Sequence, residues 1–209
     1  MTPKEVIFEQ IPVGSYQNFS YLFGDSRSKK AVIFDPAWEV NRLLSRLSEN
    51  GLTLVYIINT HSHFDHIQGN HELKERTGAK VIMHESSLAP KDVGVTDGEE
   101  LFFGEYGRLK FLHTPGHSPE SMCIQVQDFG LLTGDTLFIG ECGRVDLPGG
   151  DANQLYDSFE KLRALNPELI VYPGHDYGKK QSSTLEEQLS TNYTLEKRSR
   201  EEFLKFMSE

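Results

Sequence analysis

Leu54-Val55-Tyr56-Ile57-Ile58-Asn59-Thr60-His61-Ser62-His63-Phe64-Asp65-His66 is the stretch on which the fold of this chain turns. Its first five residues are apolar without alternation, which predicts a strand buried on both faces. Beyond Thr60 the chain sets His61, His63, Asp65 and His66 within six residues. Two histidines at i and i+2 cannot share a helix face. On a turn leaving a strand they point into one cleft, and Asp65 and His66 reach a second position beside it. A pair of cations is the expectation. Three more ligand-type residues stand at the ends of apolar runs: Thr114-Pro115-Gly116-His117, Thr133-Gly134-Asp135 and Pro173-Gly174-His175.

Outward from that stretch, Val6-Phe8, Phe19-Phe23 and Ala31-Phe34 predict an antiparallel meander ending at Asp35-Pro36. A helix with Val40, Leu43, Leu44 and Leu47 on one face stops at Gly51. Downstream, His66 to Arg76 predicts a helix ended by Gly78, and strands are expected over 80–84, 109–113, 121–126 and 129–133. Asp151 and Gln154 stand at capping-box spacing before a helix with Leu155, Phe159 and Leu162 on its apolar stripe, and a strand over 169–172 comes after it. Ser183 with Glu186, and Ser199 with Glu202, predict two helices in a tail over 181–209. Strands followed by a helix, twice over, imply two central sheets covered by helices, in one domain over 1–209.

The chain has 209 residues, 37% hydrophobic and 25% charged, enough to bury a sizeable core. Its formal charge of -10 repels a phosphate backbone, so nucleic acid is not expected as a partner. No apolar run nears the roughly 20 residues that span a bilayer, and Met1-Thr2-Pro3-Lys4-Glu5 lacks the layout of a signal peptide. A cytoplasmic protein without a membrane partner is expected. Cys123 and Cys142 are too few for a disulfide framework and are read as reduced thiols outside the ligand set.

Imidazoles suit zinc or iron, and carboxylates bridge cations. His61, His63 and His117 form a three-nitrogen site, Asp65, His66 and His175 a second, with Asp135 between them. Such a pair lowers the pKa of bound water from ~15.7 toward ~7 beside a polarised carbonyl, which makes hydrolysis the default chemistry. A structural zinc site would be closed and rich in cysteine, unlike this set.

These motifs, with Thr133-Gly134-Asp135-Thr136-Leu137-Phe138 and Tyr172-Pro173-Gly174-His175, resemble the metallo-β-lactamase superfamily from about Val13 to His175. The resemblance implies an α+β fold, an αββα sandwich of two mixed sheets flanked by helices, with metals at one edge. It is similar within that superfamily to the glyoxalase II and persulfide dioxygenase branch, which acts on glutathione thioesters and glutathione persulfide respectively.

That likeness implies two activities. In the first, two divalent ions, zinc or iron, activate a hydroxide that attacks a glutathione-type thioester, with Asp65 as the catalytic carboxylate that orients it. In the second, one Fe(II) held by His61, His117 and Asp135 oxidises glutathione persulfide to sulfite. The complete seven-residue set favours the hydrolase. The segment Gly140 to Asp146 resembles both branches and sets Arg144 near the thiol, where it binds a substrate carboxylate bidentately or pairs with Glu141 or Asp146. Tyr177 is expected to line the pocket, and Lys179 and Lys180 either attract an anionic substrate or belong to a solvated loop. His71, His84 and His113 are expected to stand outside the site, and Trp38 to fill a core.

Overall fold

The computed structural model describes residues 6–127 and 130–208. Six strands form one sheet in sequence order: β1 (Val6–Val13), β2 (Asn18–Asp25), β3 (Lys30–Phe34), β4 (Thr53–Ile58), β5 (Lys80–His84) and β6 (Val93–Val95). The first three are the expected antiparallel meander, and β3 to β6 run parallel. The second sheet is ordered β12-β11-β10-β9-β8-β7, from β7 (Glu100–Phe103), β8 (Gly107–His113), β9 (Met122–Val126), β10 (Gly130–Gly134), β11 (Ile170–Pro173) and β12 (Ser183–Thr184). Only β10 and β11 pair in parallel. Phe129, expected to open the tenth strand, lies outside the described residues, as do Met1 to Glu5.

Period-two alternation sorts the strands' side chains into layers. On β2 and β3, Leu22 and Ile33 pack under helices α1 (Val40–Glu49) and α3 (Asn70–Thr77), while Tyr21, Phe23, Val32 and Phe34 face the other sheet. On β10, Leu132 faces inward, and Leu131 packs outward against α4 (Ala152–Arg163), α5 (Leu185–Thr191) and α6 (Arg200–Phe206). The result is the αββα sandwich of two mixed sheets. Strand β4 is buried on both faces as expected, with Ile57 in the outer layer and Ile58 between the sheets.

Two helix expectations need correction. The single helix over 66–76 is two, α2 (Phe64–Ile67) and α3, broken at Gly69. Gly69 N donates to Pro36 O at 2.6 Å, and a Cβ there would stand 2.5 Å from the same oxygen, so the chain bends to meet the Asp35-Pro36 turn. In the tail, the cap of α5 is Thr184 over Glu187, not Ser183 over Glu186, because Ser183 and Thr184 are taken as edge strand β12. Ser199 and Glu202 do form the reciprocal box.

The tail is part of the outer layer, since Phe203 is buried against Tyr156, Phe159 and Phe206. Phe203→Ala should cost about 3–5 kcal/mol and lower Tm by roughly 10 °C. Calorimetry checks it; an unchanged Tm would mean that the tail contributes nothing to the fold.

Candidate metal centre

All the ligand-type residues stand at one edge of the sandwich. His61 and His63 leave the C-terminal end of β4, and Asp65 and His66 sit in α2. His117 follows β8, Asp135 follows β10 and His175 follows β11. Strands β8, β10 and β11 share a direction, so their ends meet at the same rim. Met122 N to Thr60 O at 2.9 Å and Phe19 N to Gly174 O at 2.8 Å tie the two sheets together there.

The structure brings together all seven residues expected from sequence. His61, His63 and His117 converge, as do His61, His66 and Asp135, and Asp65, His66 and His175, with the ligand atoms of each group within 4.8 Å of one another. His117 Nε2 is 2.9 Å from His63 Nδ1, and His66 Nε2 is 3.2 Å from His175 Nε2. Asp135 lies between the two sets, 3.6 Å from His117 Nε2 and 3.3 Å from His175 Nε2 through Oδ2.

The other ring nitrogens reveal which atoms are free to bind. His117 Nδ1 donates to Arg144 O at 2.8 Å, and His175 Nδ1 donates to Tyr16 O at 2.8 Å. His66 Nδ1 abuts Asp35 Oδ2 at 3.2 Å. His61 Nδ1 is 3.1 Å from Thr60 Oγ1, whose hydroxyl donates to Asp35 Oδ2 at 2.7 Å. Acceptors at Nδ1 set the tautomer and turn the Nε2 lone pairs of His61, His66, His117 and His175 into the centre. Lone pairs so close repel unless a cation or proton lies between them.

Of the four buried side-chain atoms without a hydrogen-bond partner among the described residues, two, His61 Nε2 and Asp135 Oδ1, are ligand-type atoms of the centre. Such orphans cost about 1–3 kcal/mol each, a penalty that a cation removes. Burial, reinforced by neighbouring His66, holds His61 well below the ordinary imidazole range and so leaves it neutral. Asp135 is held well below the usual carboxylate range: burial opposes this, but His66 and His175 outweigh it. A neutral nitrogen donor and an ionised oxygen donor are what a divalent ion requires.

Sequence reasoning missed the residues that orient these ligands. Asp35 is buried, accepts from Thr60 N at 2.8 Å, and takes a left-handed backbone (φ 44°) to do so. Asn18 Nδ2 donates to Asp65 Oδ2 at 3.1 Å. Glu120 Oε1 accepts from Ser62 N at 3.1 Å and Ser62 Oγ at 2.6 Å, pinning the His61–His63 turn. The one available signal was the charged Asp35 at the end of an apolar strand. Asp35→Asn should weaken metal binding about 10–100-fold, measured by competition with a chromogenic chelator; unaltered affinity would remove Asp35 from the set of orienting residues.

A cavity of about 470 Å³ opens over the centre. Tyr177 lines it, stacked on His175 with ring centroids 4.6 Å apart. Arg144 is at the rim and forks onto Asp146, with Nε 2.5 Å from Oδ1, so of its two expected roles the structure shows the ion pair. Lys180 pairs with Glu187, and Lys179 faces an adjoining cavity. Trp38 is half-buried and stacks on Tyr16 beside the centre. His84 and His113 stack on each other, and His71 lines a separate cavity. Cys123 and Cys142 are both free and buried, and burial pushes their thiols up to about 11 and about 12.

The family model described as the metallo-beta-lactamase superfamily matches residues 13–175. The chain belongs to that superfamily. A hydroxyacylglutathione hydrolase of Polaromonas sp. (strain JS666) is 37% identical over 178 residues, 82% of this chain and 67% of its own length. The mitochondrial persulfide dioxygenase ETHE1 of Homo sapiens is 38% identical over 193 residues, 90% of this chain and 75% of its own. The crystal structure of ETHE1 from Myxococcus xanthus matches with a TM-score of 0.91 at 37% identity, covering 97% of this chain and 90% of that one. The superfamily fold, a His/Asp cluster able to hold metal, and likeness to enzymes of both activities therefore hold together in this chain. Among the described residues no helix is long and apolar enough to cross a membrane.

Proposed function

We propose that this member of the superfamily is a persulfide dioxygenase, taking the persulfide of a low-molecular-weight thiol to sulfite and the free thiol. In net form, RSSH, dioxygen and water give RSH, sulfite and two protons; the terminal sulfur is oxidised, dioxygen is reduced, and water supplies the third sulfite oxygen. The observation that carries this reading is the extent of the likeness. It covers 97% of this chain against the Myxococcus xanthus structure and 90% against the Homo sapiens sequence, compared with 82% against the Polaromonas hydrolase. The complete seven-residue set pulls toward hydrolysis, but that set is compatible with either activity.

In this reading His61, His117 and Asp135 would hold one Fe(II), which would supply the redox chemistry that oxidation by dioxygen requires. The set includes the two orphaned ligand-type atoms, His61 Nε2 and Asp135 Oδ1. Arg144 O and Thr60 Oγ1 keep His117 and His61 in the binding tautomer. A single proton between His66 Nε2 and His175 Nε2, 3.2 Å apart, satisfies both. Asp65, steadied by Asn18, presents a carboxylate that receives protons released as sulfite forms.

The test is oxygen consumption by the iron-loaded protein, given glutathione persulfide and phenylmethyl persulfide separately, with sulfite assayed. Uptake with either supports the dioxygenase; none with either overturns it. Thioester hydrolysis on two ions is the second reading, favoured by the convergence of Asp65, His66 and His175 into a group of their own. Asp65→Ala separates the two. A single-iron enzyme keeps its iron and loses about 10–100-fold in turnover. A two-metal hydrolase loses an ion and orders of magnitude in kcat.

A further inference from the structure

The cavity over the metal centre has an aromatic wall that the chemistry at the metal does not use. Among the described residues six large hydrophobic side chains are strongly exposed, and three of them, Tyr16, Phe64 and Tyr177, line this one cavity. Tyr16 and Phe64 are each more than half exposed and meet edge to face, with ring centroids 5.7 Å apart. Behind them Trp38 stacks flat on Tyr16 at 5.5 Å and 8°. Exposed aromatic surface is unfavourable unless something covers it, and gathering it at one mouth marks a ligand-facing patch.

The wall is built into the fold. Gly14, at φ 68°, lies so close beneath Trp38 that a Cβ there would stand 2.3 Å from the indole. That close approach lets Trp38 support Tyr16 from behind. Tyr16 is also fastened from the other side, since its carbonyl accepts from His175 Nδ1 at 2.8 Å. The ring and the ligand are thus held in register by one residue.

The charges around the cavity point the same way. Besides the metal-centre carboxylates it is lined by Glu141 and Arg144, and Arg144 is already forked onto Asp146. Among the described residues no other lysine or arginine lines it. Glutathione brings two carboxylates, and the one arginine that lines this cavity among the described residues is already paired, in a chain of charge -10.

We infer that the site takes the persulfide of a small thiol whose body is apolar or aromatic and weakly charged, seated against Tyr16 and Phe64, in preference to that of glutathione. This rests on the dioxygenase reading for the reacting sulfur but not for the wall. The same surface would select the thiol half of a thioester.

The test reads binding rather than turnover. Trp38 is the chain's single tryptophan, so its fluorescence reports ligands packing on Tyr16. The zinc-loaded protein, which is redox-silent, is titrated with phenylmethanethiol and with glutathione; both offer the same sulfur, so the difference measures the body. Phenylmethanethiol is expected to bind about tenfold tighter, and Phe64→Ala to erase most of that margin. Phe64 is exposed, so the variant folds, as its circular dichroism will verify. Equal affinities, a margin that survives Phe64→Ala, or tighter glutathione binding that is lost in Arg144→Gln would each overturn the inference. Because no oxygen chemistry enters, failure here is distinct from failure of the dioxygenase assay.

Discussion

Asp135→Asn should empty the centre and lower turnover by on the order of a thousandfold or more while leaving the fold in place. The substitution keeps the shape and removes only the charge. Asp135 is the carboxylate between the two histidine groups, 3.6 Å from His117 Nε2 and 3.3 Å from His175 Nε2. Without it, neutral imidazoles face a divalent ion with no anionic partner at the centre of the set, and the remaining carboxylate, Asp65, is reached only through His66 and His175. Metal per chain by inductively coupled plasma mass spectrometry and turnover of the same sample decide it. Full occupancy with turnover near wild type would mean that Asp135 is not a ligand in either reading.

Gly143→Ala is expected to do nearly as much damage through one methyl group. A Cβ at this position would lie 1.8 Å from the Asp135 carbonyl oxygen and 3.0 Å from His117 Nδ1. The nearest obstacle is backbone, so side-chain rotation gives no relief and the loop must retreat. That loop carries Arg144 O, the acceptor that fixes the tautomer of His117. A shift of an ångström or more breaks the bond and moves two ligands at once, and a misplacement of that size alone costs about a hundredfold. Turnover down by more than about a hundredfold with reduced metal content is the expected pair of results. Wild-type values for both would show that the loop yields without cost, and that His117 does not depend on Arg144 O.

The candidate ligand set was legible in sequence because it is nearly local. Four of its seven members fall between His61 and His66, and the others each close an apolar strand whose end the hydrophobic pattern marks. The sandwich was legible for a related reason, since strand alternation and helix periodicity state which faces are buried. Gly69 was not legible as a helix break, because the reason for it is Pro36 O, more than thirty residues earlier. The sequence leaves Arg144 open between substrate and neighbour, and only the tertiary structure pairs it with Asp146.

What the sequence by itself determined is therefore the chemistry on offer: the donor atoms, their strands and the superfamily. What only the tertiary structure decided is how those donors are aimed and which side chains line the cavity above them. Asp35 and Asn18 orient ligands from neighbouring strands of the first sheet and Glu120 does so from the second, and Tyr16, Phe64 and Tyr177 come from three separate segments to line one mouth. Aiming and selectivity depend on distances between residues far apart in the chain, and no local spacing encodes those distances.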